Sequence, residues 1–229
     1  MLETIRDILS HMDVHIAEFA AKHTFGVYAL LFGIIFAETG LVVMPFLPGD
    51  SLLFTIGALS VPTDQREAVF NPWVISVTLI VAGIIGDAVN YHIGKFIGPR
   101  VFRGEMNDKW WSKLLNRKHL DRAHAFYEKH GGKAIVLGRF VPIVRTFVPF
   151  VAGAGTMNYR QFALYNVFGA ILWVGICVGA GVLFGNIKWV KDNFEGVILG
   201  IIVVSLLPVV VEFILARRRE AAATRPTGS

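Results

Sequence analysis

Five ionisable residues sit where the surrounding sequence is apolar enough for a lipid bilayer. Glu38 and Asp50 lie in FAETGLVVMPFLPGDSLLF (36–54), Asp87 in GDAVNYHIG (86–94), and Arg139 and Arg145 in AIVLGRFVPIVRTFVPFVAGAG (134–155). A charged side chain at the centre of a spanning helix costs about 2.5–3.5 kcal/mol, so several of them facing lipid would cost on the order of 10 kcal/mol. They are therefore expected to face one another or a wet cavity. Arginine keeps its proton and presents a planar donor fork matched to phosphate or carboxylate. A carboxylate in poor solvent holds a proton more readily than one in water. Two of each would suit a proton-linked carrier of an anion, or of a lipid with an anionic head, with Arg139 and Arg145 holding the substrate and Glu38 and Asp50 as proton-coupling groups that compete for them when it leaves.

Each of these residues has a plainer reading. Glu38 would snorkel to water if its helix ends near the interface, and Asp50 would serve as a turn or N-cap residue before a helix starting at Ser51. Either arginine would be neutralised structurally by Glu38 or Asp50. Asp87 lies one helical turn before Tyr91 and would support the site or hydrogen-bond within the bundle. His92 and Lys95 read as interfacial, Glu212 as a partner of the terminal arginines, and Met157 and the aromatic residues of the closing spans as packing. His119, His124 and His130 lack carboxylate or cysteine partners, so neither a metal nor a cofactor is expected. Cys177, the only cysteine, excludes an intrachain disulfide.

The elements that must hold these groups follow from hydropathy and from its interruptions. The 229-residue chain is 54% hydrophobic and 17% charged, against roughly 25% charged in a soluble domain, which marks an integral membrane protein. Ten of the 22 Lys and Arg fall between Lys95 and Lys133, and a further run stands at Arg217, Arg218 and Arg219. These clusters flank apolar spans, so they read as cytoplasmic loops and not as a nucleic-acid interface. A single membrane domain is expected. Its parts are an amphipathic N-terminal helix (1–24), a first span with a broken apolar unit (25–61), a span at 72–95, a basic amphipathic region (96–133), a second broken unit (134–155), spans at 162–184 and 195–216, and a basic tail (217–229).

The breaks are Pro45, Pro48 and Gly49 in one unit and Pro142 and Pro149 in the other. With the tail inside, parity puts both ends of 134–155 on the cytoplasmic face, so that unit is expected to dip in and return. The 44–60 unit would do so from the opposite face. PFLPGD (45–50) and PFVAGA (149–154) share Pro-Phe-x-x-Gly. The expected fold is an all-α polytopic membrane protein with two opposed re-entrant helical hairpins in an inverted-repeat-like arrangement, plus amphipathic interfacial helices. Discontinuous helices of this kind meet near the midplane in many transporters.

FAETGLVVMPFLPGDSLLFTIGAL, GDAVNYHIGKFIG, FYEKHGGKAIVLGRFVPIVRTFVPFVAGAGTMNYRQF and NVFGAILWV resemble the bacterial DedA family of inner-membrane proteins, over residues 10–215. The resemblance implies a lipid carrier of the bacterial cytoplasmic membrane. Some members are implicated in returning undecaprenyl phosphate across that membrane, others in membrane potential and in drug or alkaline tolerance, and distant eukaryotic relatives include scramblases. The acidic and arginine pairs regarded as essential in the family match Glu38, Asp50, Arg139 and Arg145.

The leading expectation is thus a multi-pass flippase for undecaprenyl phosphate, linked to protons, with a cytoplasmic C-terminus and not an enzyme. Its partners would be a membrane lipid with an anionic phosphate head group and protons; a homo-oligomer is compatible with the sequence. The alternative is a proton-coupled transporter of a small ion or drug supporting membrane potential and pH homeostasis. A lipid phosphatase and a structural or chaperone-like membrane protein are the readings from other classes.

Overall fold

Pro72 opens the longest helix, and the reason is local. Asn71 Oδ1 accepts hydrogen bonds from the amides of Trp73 (3.0 Å) and Val74 (3.2 Å), while proline at the first helical position brings the backbone angle the helix needs and no amide to leave unpaired. The computed structural model describes residues 24–41, 49–62, 67–102, 117–141, 144–155, 157–185 and 187. Within them it contains helices α1 (Thr24–Gly40), α2 (Gly49–Leu59), α3 (Pro72–Phe102), α4 (Arg117–His130), α5 (Lys133–Gly138), α6 (Val144–Ala154) and α7 (Tyr159–Gly185), and no strand. Residues 1–23 of the expected N-terminal helix, the breaks Pro45, Pro48 and Pro142, residues 103–116 of the basic region, the span at 195–216 and the basic tail lie outside the described residues.

Among the described residues two helices are long and apolar enough to cross a bilayer, α3 with 31 residues and α7 with 27. At 1.5 Å per residue they run about 46 Å and about 40 Å, beyond the ~30 Å hydrocarbon core. The expected span 72–95 is therefore extended to Phe102, and 162–184 starts earlier, at Tyr159, where Asn158 Oδ1 accepts the Arg160 amide at 2.9 Å. The outward faces of both helices carry large exposed apolar side chains, among them Val77, Val81 and Ile85 on α3 and Leu164, Phe168 and Ile171 on α7. A contiguous apolar surface of this kind is foreign to a water-exposed protein and native to lipid. The helix of the expected first span, α1, ends at Gly40.

The basic region does contain an amphipathic helix, α4, but protein covers part of its apolar face. Leu120 and Ala123 are buried, with Phe126 and Tyr127 packed against the same core beside α6. The helix stops at Gly131, whose φ of +57° is open to glycine and strained for other residues, and whose amide caps the Tyr127 carbonyl at 2.7 Å.

Among the described residues two apolar cores result. One joins α3, α4, α5, α6 and the start of α7 around Tyr91, Phe147, Phe150 and Phe162; the other joins α1, α2, α3 and α7 around Ile35, Leu53, Ile56, Leu79 and Trp173. Short helices dock on long ones through glycines. A methyl group added at Gly94 of α3 would strike the Phe150 carbonyl of α6, and one at Gly153 of α6 would strike the Tyr91 carbonyl of α3. In the other core, a methyl at Gly57 of α2 would strike the Val178 carbonyl of α7, and one at Gly181 of α7 the Phe54 carbonyl of α2.

Candidate functional site

The five ionisable residues converge between the two cores. α1 ends at Gly40, which brings Glu38 to its last turn, and α2 starts at Gly49, which puts Asp50 in its first turn. Asp50 is thus a first-turn acid, favourable beside the helix's positive end, and does not precede the helix as a cap. α5 ends at Gly138 and α6 begins at Val144, so Arg139 and Arg145 flank that second break. Pro149 does not mark the break: α6 runs through it, and a buried Pro149 packs among the α6 residues. Between α5 and α6 the described residues 139–141 are non-helical, and Pro142 lies outside the described residues. Gly49 is the first residue of α2, and its lack of a side chain leaves room for the Glu38 carboxylate, which lies where its Cβ would be.

Two ion-pair groups form. Arg145 donates through Nη2 to Glu38 Oε1 and through Nη1 to both oxygens of Asp50, at 3.0 and 3.1 Å. Glu38 is almost wholly buried, with 1% of its side chain exposed, whereas Asp50 is 51% exposed and Arg145 14%. The second group is deeper. Arg139 Nη2 donates to Asp87 Oδ2 and to Asn166 Oδ1, both at 2.6 Å, and arginine and aspartate are each about 95% buried. Asn166 is held by its own amide, which donates to the Ile84 carbonyl at 3.0 Å. Gly83 and Gly169 clear the space: a methyl at Gly169 would sit 3.2 Å from Arg139 Cδ.

Three residues join the site that the charges alone do not announce. Trp173 of α7 donates its indole N–H to Asp50 Oδ1 at 2.7 Å and lies 5.6 Å beneath the Arg139 guanidinium, so it touches both groups. Asn166 completes the Arg139 group. Asn90 of α3 donates to the Thr39 carbonyl (3.1 Å) at the end of α1 and to the Thr146 carbonyl (2.7 Å) at the start of α6, tying both breaks to one helix. A usable signal existed for the asparagines, since an amide in an apolar span must find partners just as a charge must. Trp173 lies in the interior of its span, away from the interfacial position usual for tryptophan. Tyr91 is not part of the cluster: its hydroxyl donates to the Met157 carbonyl at 2.6 Å and its ring stacks on Phe162.

Glu38, Thr39, Asp87, Arg139, Arg145, Thr146 and Trp173 enclose a cavity of about 10 Å³. That is about the room one water needs. The arrangement is closed at Arg145, whose fork fits a phosphate and is occupied by two carboxylates, whereas Arg139 is held through Nη2 and its buried Nε has no hydrogen-bond partner. His124 does have a carboxylate partner, contrary to the sequence reading: its Nε2 lies 3.3 Å from Glu128 Oε1, one turn on along α4. No group of three or more His, Cys, Asp or Glu placed to hold a metal occurs among the described residues.

Residues 47–183 match the family model described as the VTT domain. The chain is 53% identical to Protein DedA of Escherichia coli strain K12 over 220 residues, 96% of each chain. It is 42% identical to an uncharacterized membrane protein of Mycobacterium leprae, covering 78% of this chain and 75% of that one. Identity to Inner membrane protein YqjA of Escherichia coli is 38%, over 69% of this chain and 68% of the relative. No solved structure matches. The match spans α2 to α7 and so takes in Asp50, Asp87, Arg139 and Arg145, and the full-length relatives extend it over Glu38. This helical membrane protein belongs to the VTT-domain family, the family of the DedA proteins.

Proposed function

We propose that the protein carries a lipid with a phosphate head group across the bacterial cytoplasmic membrane, undecaprenyl phosphate being the leading substrate, and that proton transfer to Glu38 and Asp50 drives the exchange. The observation that carries this reading is the double clamp on Arg145, held at once by Glu38 from α1 and Asp50 from α2. A guanidinium shared by two carboxylates is already in the geometry that binds a phosphate dianion. For the anion to enter, the carboxylates must let go. Protonation removes their charge and weakens their hold, leaving Arg145 for the phosphate; loss of the protons restores the competition and expels it. Arg139 adds positive charge beside the phosphate, with Asp87 fixing its position. The lipid tail stays in the bilayer throughout.

In this reading α1 belongs to a crossing span, the 44–60 unit that includes α2 and the 134–155 unit that includes α5 and α6 are two re-entrant hairpins entering from opposite faces, and the basic 96–133 region and the C-terminus lie in the cytoplasm. The family membership and the inner-membrane name of one relative support that location.

The test is reconstitution in liposomes holding undecaprenyl phosphate, with head-group accessibility followed over time with and without a pH gradient. Wild type should move the lipid faster under a gradient, while folded Arg145→Gln should not move it and folded Glu38→Gln should lose the response to the gradient. Equal rates in all three would remove these residues from the mechanism. A proton-coupled carrier of a small ion is favoured by one observation, the cavity of about 10 Å³, which as it stands admits a water and no head group. Ion flux without lipid movement in the same liposomes would select it.

A further inference from the structure

The Asp50 carboxylate occupies a position where two donors from different elements meet. Its Oδ1 accepts from Arg145 Nη1 at 3.0 Å and from Trp173 Nε1 at 2.7 Å. An oxygen of another anion placed there would meet the same two donors. Trp173 is 2% exposed, so its N–H cannot turn to bulk water if Asp50 leaves. An indole N–H is a donor only, and a buried one without an acceptor is costly. Asp50 is the half-exposed member of the cluster and sits in the first turn of a short helix, whereas the indole is fixed in the core against Arg139. The part most free to leave is the acceptor.

We propose that Trp173 is a hydrogen-bond donor of the anion site, and that its indole N–H passes from Asp50 to an oxygen of a phosphate monoester when that anion replaces the Asp50 carboxylate on Arg145. The assignment rests on the reading of Arg145 as an anion-binding group. It makes Trp173 a ligand-contacting residue and not core filler. It also gives the site a third donor, neutral and on α7, beside the arginines of the α5–α6 segment. A neutral donor adds directionality without adding a charge that the carboxylates must neutralise between cycles.

The experiment measures binding to the full chain by calorimetry. The probes are inorganic phosphate with the protein in detergent, and undecaprenyl phosphate in phosphatidylcholine nanodiscs against phosphatidylcholine alone. The variants are Trp173→Phe, which keeps a ring and removes the N–H, and Trp73→Phe on the outer face of α3 as control. Trp173→Phe should raise the Kd about ten-fold, the size of one charge-assisted hydrogen bond, with Trp73→Phe unchanged. Weakening with both probes assigns the site to phosphate itself, and weakening with the lipid alone assigns it to a head group carrying its tail; either supports the proposal. An unchanged Kd in Trp173→Phe, or no saturable binding of either probe by wild type, overturns it.

Should Trp173→Phe fail to fold, the chain with Trp73, Trp110, Trp111 and Trp189 replaced by phenylalanine leaves Trp173 as the sole tryptophan, excited selectively at the red edge of its absorption. Its emission should shift at saturating phosphate, and an unmoved spectrum overturns the assignment. Transport separates the two ideas. Binding through Trp173 with no lipid movement in liposomes leaves the assignment standing and sinks the carrier; lipid movement with an unchanged Kd in Trp173→Phe does the reverse.

Discussion

The two broken segments have the same plan and opposite charge. In each, a helix ends, the chain breaks, and a second helix begins, with an ionisable residue on either side: Glu38 and Asp50 around the break between α1 and α2, Arg139 and Arg145 around that between α5 and α6. Each second helix then docks on the long helix of the other segment, α2 on α7 and α6 on α3. The docking glycines of the long helices stand at matched heights, Gly94 lying 22 residues after the start of α3 and Gly181 22 after the start of α7. The pairing is not symmetric, however. Both acids go to Arg145, and Arg139 turns instead to Asp87 and Asn166 of the long helices. One arginine is locked into the scaffold and the other is held by groups that also flank the opposite break. The difference separates an anchor from the arginine whose release the proposed function requires.

The largest expected effect tests the anchor. Arg139→Leu leaves Asp87 buried and unpaired, and Asn166 without its donor. Breaking a buried pair by removing one partner costs about 3–5 kcal/mol, so the variant should show a large loss of folded protein in detergent thermal unfolding. Adding Asp87→Leu should recover part of that loss, and the coupling read from the double-mutant cycle should exceed about 1 kcal/mol. Additive single effects would mean that the Arg139 pair is no anchor. They would erase the distinction between the two arginines.

Next come the seams. Gly153→Ala puts a methyl into the Tyr91 carbonyl and Gly57→Ala one into the Val178 carbonyl, and in both cases the obstacle is backbone. Overpacking of this kind costs about 1–3 kcal/mol. If the segments are equivalent, the two substitutions should lower the unfolding temperature to a similar degree, and Gly179→Ala, where a methyl meets nothing within 4 Å, should leave it unchanged. A drop confined to one seam would show that the repeat is only a likeness of charge placement.

How much of this was readable in the residues varies with range. The spans at α3 and α7 and the five misplaced charges follow from local composition, and the structure brings three of those charges together, Glu38 and Asp50 on Arg145, and pairs the other two, Arg139 and Asp87. The partners do not follow, because Asp87 and Arg139 are 52 residues apart and Arg145 and Glu38 are 107 apart, and nothing local states which acid meets which arginine. The shared Pro-Phe-x-x-Gly was a poor guide to the repeat. Gly49 opens α2, while Gly153 lies near the end of α6 and serves a seam, so the same letters do different work. Charges flanking the breaks are the better register. Tyr91 was placed with Asp87 by its one-turn spacing, but its hydroxyl found the Met157 carbonyl; spacing on a helix gives proximity of positions, and the acceptor was supplied by another segment.

The smallest expected stability effect sharpens the comparison within the acidic break itself. Glu38 and Asp50 hold the same guanidinium, yet one is 1% and the other 51% exposed. Asp50→Asn keeps an acceptor oxygen for Arg145 and Trp173 and gives up only a charge that water already screens. Exposed pairs contribute about 0.2–1 kcal/mol, so unfolding should shift by no more than that. Glu38→Gln surrenders a charge from a site with no water to replace it, and its extra amide hydrogens must find acceptors beside Gly49, so its shift should be the larger of the two. The paired measurement is thermal unfolding of both variants alongside wild type at one pH. A larger effect for Asp50→Asn than for Glu38→Gln would mean that Asp50, with its indole partner, is the structural acid and Glu38 the dispensable one. The proton-coupling role would then have to be divided the other way round, with Glu38 as the residue that lets go first.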